Sequence, residues 1–546
     1  MNLLFITVDE WRYPPEYTTP EIKQWMKDNL KAYEFLRKNG VSFNQHRAGS
    51  TACAPSRATI HTGQYPSLHG VSQTDGAAKN ANDADMFWLD QNNIPTWASF
   101  LQDHQTFYKG KWHVSNADFY IPGTINSVLS YNKDNGVPEV GPTEKYRKSN
   151  RLEPYDFNGW IGPEPHGSNP HNSGGSSAVG LSGRDIVYAN EVIDLIQMLE
   201  NNDCKKPWAT VASFVNPHDI TLYGELSRQI PLFNFETDPT LPPIPPAPNS
   251  NNTANKPSCQ ASYRTIYQQA FQPTFDDETY RKLYFTLQKR VDEQIQRILT
   301  ALFKSKFAKN TFVIFTSDHG DYLGSHNLFQ KWYSAYDEAI RVPFIVYGPG
   351  ICPGERNLLT SHVDIVPTIL SLLDVNVKKI SKKLEKKYFE MKDFVGTDLK
   401  PTIYGEAMPN LPQYFMTDDN VLKGLNQQGI AGPYPEVEQP ASVSTVIAQI
   451  GNKIFKYSVY FDNPQFAGSP AQVRPTQQQI QTAVSTPRQF ELYNLTDDPF
   501  EMNNIANSPM QGILDPILRQ QEKSKRLYPT NGTVLQPYFP NFPPAS

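Results

Sequence analysis

Five short apolar runs constrain the fold of this 546-residue chain more than any other feature. They span residues 3–8, 106–108, 208–215, 311–317 and 342–347. Between them lie segments of helical periodicity, notably 186–199 and 280–303, where Leu283, Leu287 and Val291 follow the helical period. Near-continuous apolar strands that alternate with helices are typical of a mostly parallel sheet covered by helices on both faces. The sequence therefore predicts a large α/β domain.

The pattern changes after Gly396, where helix–strand alternation gives way to short strand-like segments. These segments are 444–450, 453–460 and 490–494. We therefore predict a large domain over residues 1–395. Residues 396–546 are predicted to form a smaller α+β subdomain with an antiparallel sheet, followed by a proline-rich tail from residue 527. A Gly-, Ser- and Asn-rich stretch at 166–183 predicts a loop or lid.

Charge and hydropathy exclude two classes of partner. A net charge of −5 argues against nucleic acid, because a phosphate-backbone binder needs a basic face. No segment reaches the run of about 18 apolar residues that a membrane span requires. Because Met1-Asn2-Leu3-Leu4 leads directly into a strand, we expect a cytoplasmic protein. A periplasmic or secreted location is the alternative if a signal was removed before this numbering. Four widely spaced cysteines favour a reducing compartment.

Chemistry-bearing residues follow four of the predicted strands at their carboxyl ends. They are Asp9-Glu10, Lys111 with His113, His218, and Asp318-His319. In open α/β sheets ligands bind outside the carboxyl ends of the strands, so we expect these side chains to form one site. Carboxylates suit Ca²⁺ or Mg²⁺, and an imidazole extends the choice to Mn²⁺ or Zn²⁺. Asp9, Asp318 and His319 are thus candidate ligands of a divalent cation.

The segment Cys53-Ala54-Pro55-Ser56-Arg57 puts a nucleophile and a cation at the start of a predicted helix. Pro55 is favourable in a first helical turn, and Thr62-Gly63 is expected to end the helix. A side chain at position 53 would lie over unpaired backbone N–H groups, where negative charge is stabilised. Arg57, one turn further on, lies on the same face. A buried cysteine before an ordinary helix is the alternative interpretation of this stretch alone.

Taken together, these segments resemble the type I sulfatases of the alkaline phosphatase superfamily. Cys-x-Pro-Ser-Arg followed by Thr62-Gly63 resembles the family signature, and Gly110-Lys111-Trp112-His113 resembles its Gly-Lys-Trp-His motif. Residues 2–12 and 315–324 resemble its two metal-binding motifs. The resemblance implies an alkaline phosphatase-like fold and metal-dependent hydrolysis of a sulfate ester to an alcohol and inorganic sulfate.

The resemblance also implies a modified nucleophile and a set of site residues. In that family a formylglycine-generating enzyme oxidises the signature cysteine, and the hydrated aldehyde is the nucleophile. The implied metal site consists of Asp9, Glu10, Cys53, Asp318 and His319. It would hold one divalent cation, with Ca²⁺ as first choice and Mn²⁺ or Mg²⁺ as alternatives. The implied catalytic residues are Cys53, Arg57, Lys111, His113, His218 and Lys331.

Each implied catalytic residue has a role in sulfate ester hydrolysis. Lys111 and Lys331 would stabilise the sulfuryl oxygens, and Arg57 would hold the charged residue 53 in place. His218 would protonate the leaving alcohol, and His113 would remove a proton from the second hydroxyl of the hydrate.

Other functions stay open at this point. A phosphonate monoester or phosphodiester hydrolase could use the same scaffold. Glu10 and His61 differ from the family pattern, as in a non-catalytic binding protein derived from a sulfatase. The substrate is expected to be a small-molecule or saccharide sulfate ester, and the oligomeric state is unknown.

Overall fold

The computed structural model describes residues 1–83, 86–165, 170–174, 183–202, 205–462 and 486–529. Most of the predicted loop at 166–183 and of the tail from 527 lies outside these ranges. The strands are β1 Asn2–Asp9, β2 Val41–Arg47, β3 Gln105–Gly110, β4 Trp208–Pro217, β5 Thr311–Ser317, β6 Phe344–Tyr347, β7 Gly354–Ser361, β8 Gln413–Thr417, β9 Gln428–Gly429, β10 Gly432–Pro433, β11 Ser442–Ile450, β12 Lys453–Phe461 and β13 Gln489–Asn494.

The α-helices of these ranges follow in chain order. They are α1 Pro20–Asn29, α2 Lys31–Asn39, α3 Cys53–Thr62, α4 Pro66–His69, α5 Val140–Ser149, α6 Arg184–Asn201, α7 Ser258–Ala270, α8 Glu278–Lys304, α9 Asp337–Ile340, α10 Ile365–Leu372, α11 Val377–Leu384, α12 Lys400–Ile403 and α13 Pro509–Lys525. None of the described helices has the length and apolarity needed to span a membrane.

The large sheet has the strand order β3-β4-β1-β5-β6-β2-β7 within the described part of the chain. The central pairs are parallel: Leu3 of β1 lies opposite Ala209 of β4 on one side and Phe312 of β5 on the other. Strand β6 runs antiparallel to both of its neighbours. The predicted mostly parallel α/β sheet is therefore confirmed, and the carboxyl ends of β3, β4, β1 and β5 lie side by side.

Alternate residues of β1 belong to two separate cores, one on each face of the sheet. Leu4 and Ile6 pack in the core formed with α1, α2, α6, α7 and α8. Leu3 and Phe5 pack in the core formed with α3, α10 and the segment before β3. Because helices cover both faces, the side chains of β1 are buried along its whole length.

Strands β2 and β7 were not predicted, because neither has a continuous apolar sequence. Strand β2 reads Val-Ser-Phe-Asn-Gln-His-Arg, yet its polar residues His46 and Arg47 are buried and paired. Strand β7 lies at the sheet edge, where Glu355 and Asn357 are exposed. Hydropathy alone does not reveal a strand whose polar residues are buried and hydrogen-bonded, or a strand whose residues are exposed at the sheet edge.

The smaller antiparallel sheet has the order β13-β12-β11-β8 in the described residues, and α13 packs against it. Its strands β11, β12 and β13 confirm the three predicted segments of the smaller subdomain. Strand β8 was not predicted. It forms the edge of this sheet, with Val443 of β11 opposite Thr417. The boundary after residue 395 stays a prediction.

Candidate active site

Cys53 is the first residue of α3 and lies where the carboxyl ends of the central strands meet. Its Sγ atom is 3.1 Å from Nε2 of His319 and 3.6 Å from Oδ1 of Asp9. Only 2% of the residue is exposed. The helix-start position predicted from the sequence therefore brings the side chain directly to the acids and imidazole that follow β1 and β5.

Four residues form a cluster suited to a cation: Asp9, Cys53, Asp318 and His319. Their ligand atoms all lie within 4.8 Å of one another, and all four residues are buried. Nδ1 of His319 is 2.9 Å from the carbonyl of Gly320, so its N–H is donated there and Nε2 is left to face the carboxylates. Two carboxylates and an imidazole whose Nε2 faces them fit a divalent cation.

The turn that presents His319 depends on Gly320. A Cβ atom at that position would lie 2.1 Å from the carbonyl oxygen of Glu338, which is closer than any side chain tolerates. Gly110 has the same role before Lys111, because its φ is 99° and a Cβ atom would lie 1.8 Å from the carbonyl oxygen of Ser213. Both glycines let a strand end approach neighbouring backbone.

Arg57 ties the strand ends together beneath the cluster. Its Nε donates to Asp318 Oδ2 at 2.8 Å and its Nη2 to Asp9 Oδ2 at 2.9 Å. Its Nη1 donates to the carbonyl of Lys111 at 2.9 Å and to the hydroxyl of Ser213 at 2.8 Å. A guanidinium that is 1% exposed thus has a partner on each side of the site. It supports the cluster rather than facing a substrate.

The charges around Asp9 favour its ionised form. Lys111 Nζ lies 2.8 Å from Asp9 Oδ2. Burial opposes ionisation, but the positive charges of Lys111, His218 and Arg57 outweigh it and hold the pKa of Asp9 well below its ordinary value. Asp318 differs, because burial and the neighbouring Asp9 charge raise its pKa to about 6.

Glu10 lies outside the four-residue cluster. Its φ of 72° turns the side chain away, and Oε2 accepts a hydrogen bond from Lys331 Nζ at 3.0 Å. His218 Nε2 is 3.9 Å from the same oxygen. Burial and the neighbouring Asp321 raise the pKa of Glu10 well above its ordinary value, although Lys331 opposes them. Glu10 can meet a cation together with Asp9 and His218, so its ligand role stays a prediction.

His113 is held by two carboxylates that the sequence argument did not identify. Its Nε2 lies 2.5 Å from Asp75 Oδ1. Glu164 accepts hydrogen bonds from the backbone N–H groups of His113 at 2.7 Å and Trp112 at 3.1 Å. These bonds support a backbone with φ 53° at His113. Burial opposes protonation of His113, but Asp75 outweighs it and raises the pKa to about 10.

His218 follows β4 on a turn that is fixed in a similar way. Asp185, at the start of α6, accepts hydrogen bonds from the backbone N–H groups of Val215 at 2.7 Å and Asn216 at 3.0 Å. The His218 side chain is 23% exposed. Burial and the charges of Lys111 and Lys331 lower its pKa to about 4.

The structure thus brings all the predicted site residues to one edge of the sheet, and adds Asp75, Glu164 and Asp185. Each added residue is a single acid in an irregular segment or at a helix start. No spacing or motif marked them, because their partners are mostly backbone N–H groups of distant segments.

Known proteins are similar to this chain in both sequence and fold. Residues 1–375 match the family described as Sulfatase. The Delta 4,5-hexuronate-2-O-sulfatase of Bacteroides thetaiotaomicron is 31% identical over 488 residues, which cover 87% of this chain and 79% of that protein. The choline-sulfatase of Rhizobium meliloti is 28% identical over 364 residues, 64% of each protein.

Solved structures extend the likeness in fold. The phosphonate monoester hydrolase of Agrobacterium radiobacter superposes with a TM-score of 0.58 at 19% identity, over 96% of this chain and 95% of that one. This likeness concerns the fold alone. The match to the first curated relatives spans about 64% of their length. With the family profile covering residues 1–375 and the site assembled at the strand ends, the chain belongs to the sulfatase family.

Proposed function

We propose that this chain hydrolyses a sulfate ester to an alcohol and inorganic sulfate, with an oxidised Cys53 as the nucleophile. The observation that carries the proposal is the cluster of Asp9, Cys53, Asp318 and His319, in which a helix-start side chain meets two carboxylates and an imidazole. Arg57 supports this cluster from below. A hard divalent cation held by these side chains prefers oxygen to sulfur as a ligand, so the cluster fits an oxygen nucleophile at position 53 better than a thiol.

The cluster would hold one divalent cation, with Ca²⁺ as our first choice and Mn²⁺ or Mg²⁺ as alternatives. Asp9, Asp318 and His319 would ligate it, together with an oxygen at position 53 after conversion of the cysteine to formylglycine. The cation would supply Lewis-acid stabilisation of negative charge, and the hydrated aldehyde would supply the attacking oxygen. The conversion implies a formylglycine-generating enzyme as partner.

Lys111 and Lys331 supply the positive charge that a sulfuryl group requires. Lys111 Nζ contacts Asp9, and Lys331 Nζ contacts Glu10, each at 3.0 Å or less. Both lysines are buried, so water does not screen their charges fully. We propose that both bind the non-bridging sulfuryl oxygens and stabilise the charge that develops on them.

His218 is our candidate for the acid that protonates the leaving oxygen. With a pKa of about 4 in the ligand-free site, its ring is neutral at pH 7. A bound sulfate ester would offset the charges of Lys111 and Lys331, and this would raise the pKa of His218. Nε2 would therefore gain its proton as substrate binds and donate it to the alcohol oxygen.

His113 and Asp75 form the complementary pair. Because Asp75 raises the pKa of His113 to about 10, the imidazole is protonated before substrate binds. In this state His113 holds a proton at the site and cannot accept one. We therefore propose that His113 orients the second hydroxyl of residue 53. It can accept a proton from that hydroxyl only after the ring nitrogen that does not face Asp75 has released its own proton to water.

A saccharide sulfate is the substrate class that we propose. The relative that aligns with 87% of the chain is named for a hexuronate 2-O-sulfate. Choline sulfate, for which a second relative is named, and aryl sulfates are the small-molecule alternatives.

The decisive experiment combines mass spectrometry with a substrate panel. The peptide that contains position 53 is weighed in protein coexpressed with a formylglycine-generating enzyme, and Cys53→Ala serves as control. The panel contains sulfated disaccharides, choline sulfate, 4-nitrophenyl sulfate, a 4-nitrophenyl phosphodiester and a phosphonate monoester. We expect the aldehyde at position 53, a preference for sulfate esters and loss of turnover on chelation.

Two outcomes would contradict the proposal. A large excess of phosphodiester or phosphonate hydrolysis would assign the chain to the alternative reaction on the same fold. Cation binding by a correctly modified protein without turnover of any ester would indicate a binding protein.

A further inference from the structure

Asp419 belongs to the second sheet's part of the chain but lies beside the active site. It follows β8 by two residues and is 3% exposed. The hydroxyl of Thr417 donates to the carbonyl of Thr51 at 2.7 Å, which fastens the end of β8 to the segment before α3. The sequence placed every site residue before residue 396, so a contribution from this segment was not expected.

The Asp419 carboxylate accepts hydrogen bonds from three separate segments of the large domain. Oδ2 accepts from the backbone N–H of Ala52 at 3.4 Å and from the indole N–H of Trp332 at 2.9 Å. Oδ1 accepts from the backbone N–H of Thr74 at 3.0 Å. A single buried carboxylate therefore fixes the mutual spacing of these three segments.

Each donor is the chain neighbour of a residue that our proposed function uses. Ala52 precedes Cys53, and Thr74 precedes Asp75, the partner of His113. Trp332 follows Lys331, whose Nζ lies 5.0 Å from the centre of a Trp332 ring. Asp419 thus connects the nucleophile, the His113 partner and a sulfuryl-binding lysine without reaching any reacting atom.

Contacts around Asp419 hold its segment firmly in place. Asn420 Oδ1 accepts a hydrogen bond from the hydroxyl of Tyr333 at 2.7 Å, and the Asn420 backbone N–H donates to Gln73 at 3.2 Å. The ammonium of Lys79 donates to the carbonyls of Asn420 and Lys423. The segment after β8 is therefore hydrogen-bonded both to the loop that carries Asp75 and to the residues that follow Lys331.

We propose that Asp419 is a positioning residue for sulfate ester hydrolysis, and that the region after residue 395 is in this way part of the catalytic unit. The proposal rests on the proposed function, since it assigns Asp419 an effect on turnover. Substitution by Asn would keep the volume but present an N–H group to donors. At least one of the three hydrogen bonds would then be lost.

The test compares Asp419→Asn with Asp292→Asn in the 546-residue chain. Asp292 is a matched control, because it is also buried and accepts hydrogen bonds from the backbone N–H groups of Ala32 at 2.9 Å and Tyr33 at 2.8 Å. Its hydrogen bonds join α8 to the start of α2, and it contacts none of the site residues named above. Thermal midpoint, kcat and KM are measured for both variants on the best sulfate ester of the panel.

We expect Asp419→Asn to lower kcat by about 10- to 100-fold with KM changed by less than about threefold, because misplaced groups lose turnover more than ground-state binding. Asp292→Asn should lower the thermal midpoint to a similar extent and leave kcat unchanged. Equal kcat in Asp419→Asn and wild type, or equal losses in both variants, would overturn the proposal.

Two further measurements keep the proposal testable if Asp419→Asn folds poorly or if turnover is absent. Trp332→Phe removes only one donor, so it should fold and lower kcat by less than Asp419→Asn does. Alkylation of unmodified Cys53 by iodoacetamide, followed by peptide mass, reports the placement of residue 53 without any turnover. Its rate should change in Asp419→Asn and not in Asp292→Asn; an unchanged rate contradicts positioning of Cys53. If the wild type hydrolyses no sulfate ester, the proposed function is contradicted. The rate of Cys53 alkylation would still test whether Asp419 positions residue 53.

Discussion

The two sides of the active site are built by different means. On the cation side, defined by Asp9, Cys53, Asp318 and His319, the proposed ligands follow neighbouring strands directly or begin the helix beside them. They contact one another, and Arg57 contacts both carboxylates. Geometry here comes from the sheet itself, so the residues are fixed by main-chain pairing and by mutual ion pairs.

On the histidine side, defined by His113 and His218, the functional groups lie on turns beyond the strands. A carboxylate from a distant segment holds the backbone of each turn: Glu164 for His113 and Asp185 for His218. The comparison teaches that strand ends position the residues proposed to bind the cation, whereas the histidines proposed to transfer protons depend on added carboxyl groups. Substitutions on the two sides should therefore differ in the size and in the type of their effects on activity and stability.

The largest effect is expected on the cation side, from Asp9→Asn. This change removes a proposed cation ligand, one of the two carboxylates paired with Arg57 and the carboxylate paired with Lys111, so activity should fall on the order of 10⁴-fold. Removal of one partner from a buried ion pair should also cost about 3 to 5 kcal/mol of unfolding free energy. Steady-state kinetics measure the loss of activity, thermal unfolding measures the loss of stability, and calorimetric titration with Ca²⁺ measures the cation affinity. Normal cation affinity would contradict the assigned cluster.

A smaller effect that depends on the substrate is expected from His218→Gln. Loss of a general acid should cost about 10²- to 10⁴-fold on a saccharide sulfate, whose alcohol needs a proton to leave. On 4-nitrophenyl sulfate, whose phenolate leaves without one, the loss should stay below about tenfold. Steady-state kinetics on both esters check this. The same loss on both would mean that His218 binds the sulfuryl group instead.

A loss of about tenfold in kcat is expected from Glu164→Gln. The amide can accept only one of the two backbone N–H groups of Trp112 and His113, so the left-handed turn at His113 would loosen. Kinetics and the thermal midpoint are compared with those of Asp292→Asn. A kcat that matches the control would show that the turn does not need this support.

The last prediction concerns the pH dependence of stability, whose sign should differ between the two sides. The pKa of Asp185 is raised to about 8 by burial, so the folded protein binds more protons than the unfolded chain between about pH 4 and 8. The stabilisation due to this carboxyl is present at low pH and lost as pH rises through 8. The thermal midpoints of wild type and Asp185→Asn should therefore converge from pH 5 to 9.

Asp9 should show the reverse, because its pKa lies well below the ordinary value. Its contribution is present above the unfolded pKa of about 4 and lost at lower pH. The thermal midpoints of wild type and Asp9→Asn should therefore diverge as pH rises from 3 to 5. Parallel curves for both variants would remove the distinction between the two sides. Cation-free protein is used throughout.

The cation side could be predicted from the sequence, and much of the histidine side's support could not. Strand β5 contains the apolar run Phe-Val-Ile-Phe and Asp318-His319 follows the strand directly, so hydropathy locates the pair at the sheet edge. Glu164 and Asp185 act on backbone groups that lie 51 and 30 residues away in sequence. Any residue has a backbone N–H group, so such a contact leaves no mark on residue type. Such a carboxyl group can be recognised by its burial, and its burial is known only once the fold is known.

Arg57 has a consequence for how this fold tolerates change. Through Asp318, Asp9, Ser213 and Lys111 its guanidinium reaches β5, β1, β4 and the end of β3, which are consecutive in the sheet. Inserting or deleting one residue in any of these strands would turn a hydrogen-bond partner of Arg57 to the opposite face of the sheet. The hydrogen bond between that partner and Arg57 would then be lost. Length variation among relatives should therefore collect in the connections, while the four strands keep their lengths. The Arg57 side chain can therefore make all of these hydrogen bonds only when the four strands lie in the correct register.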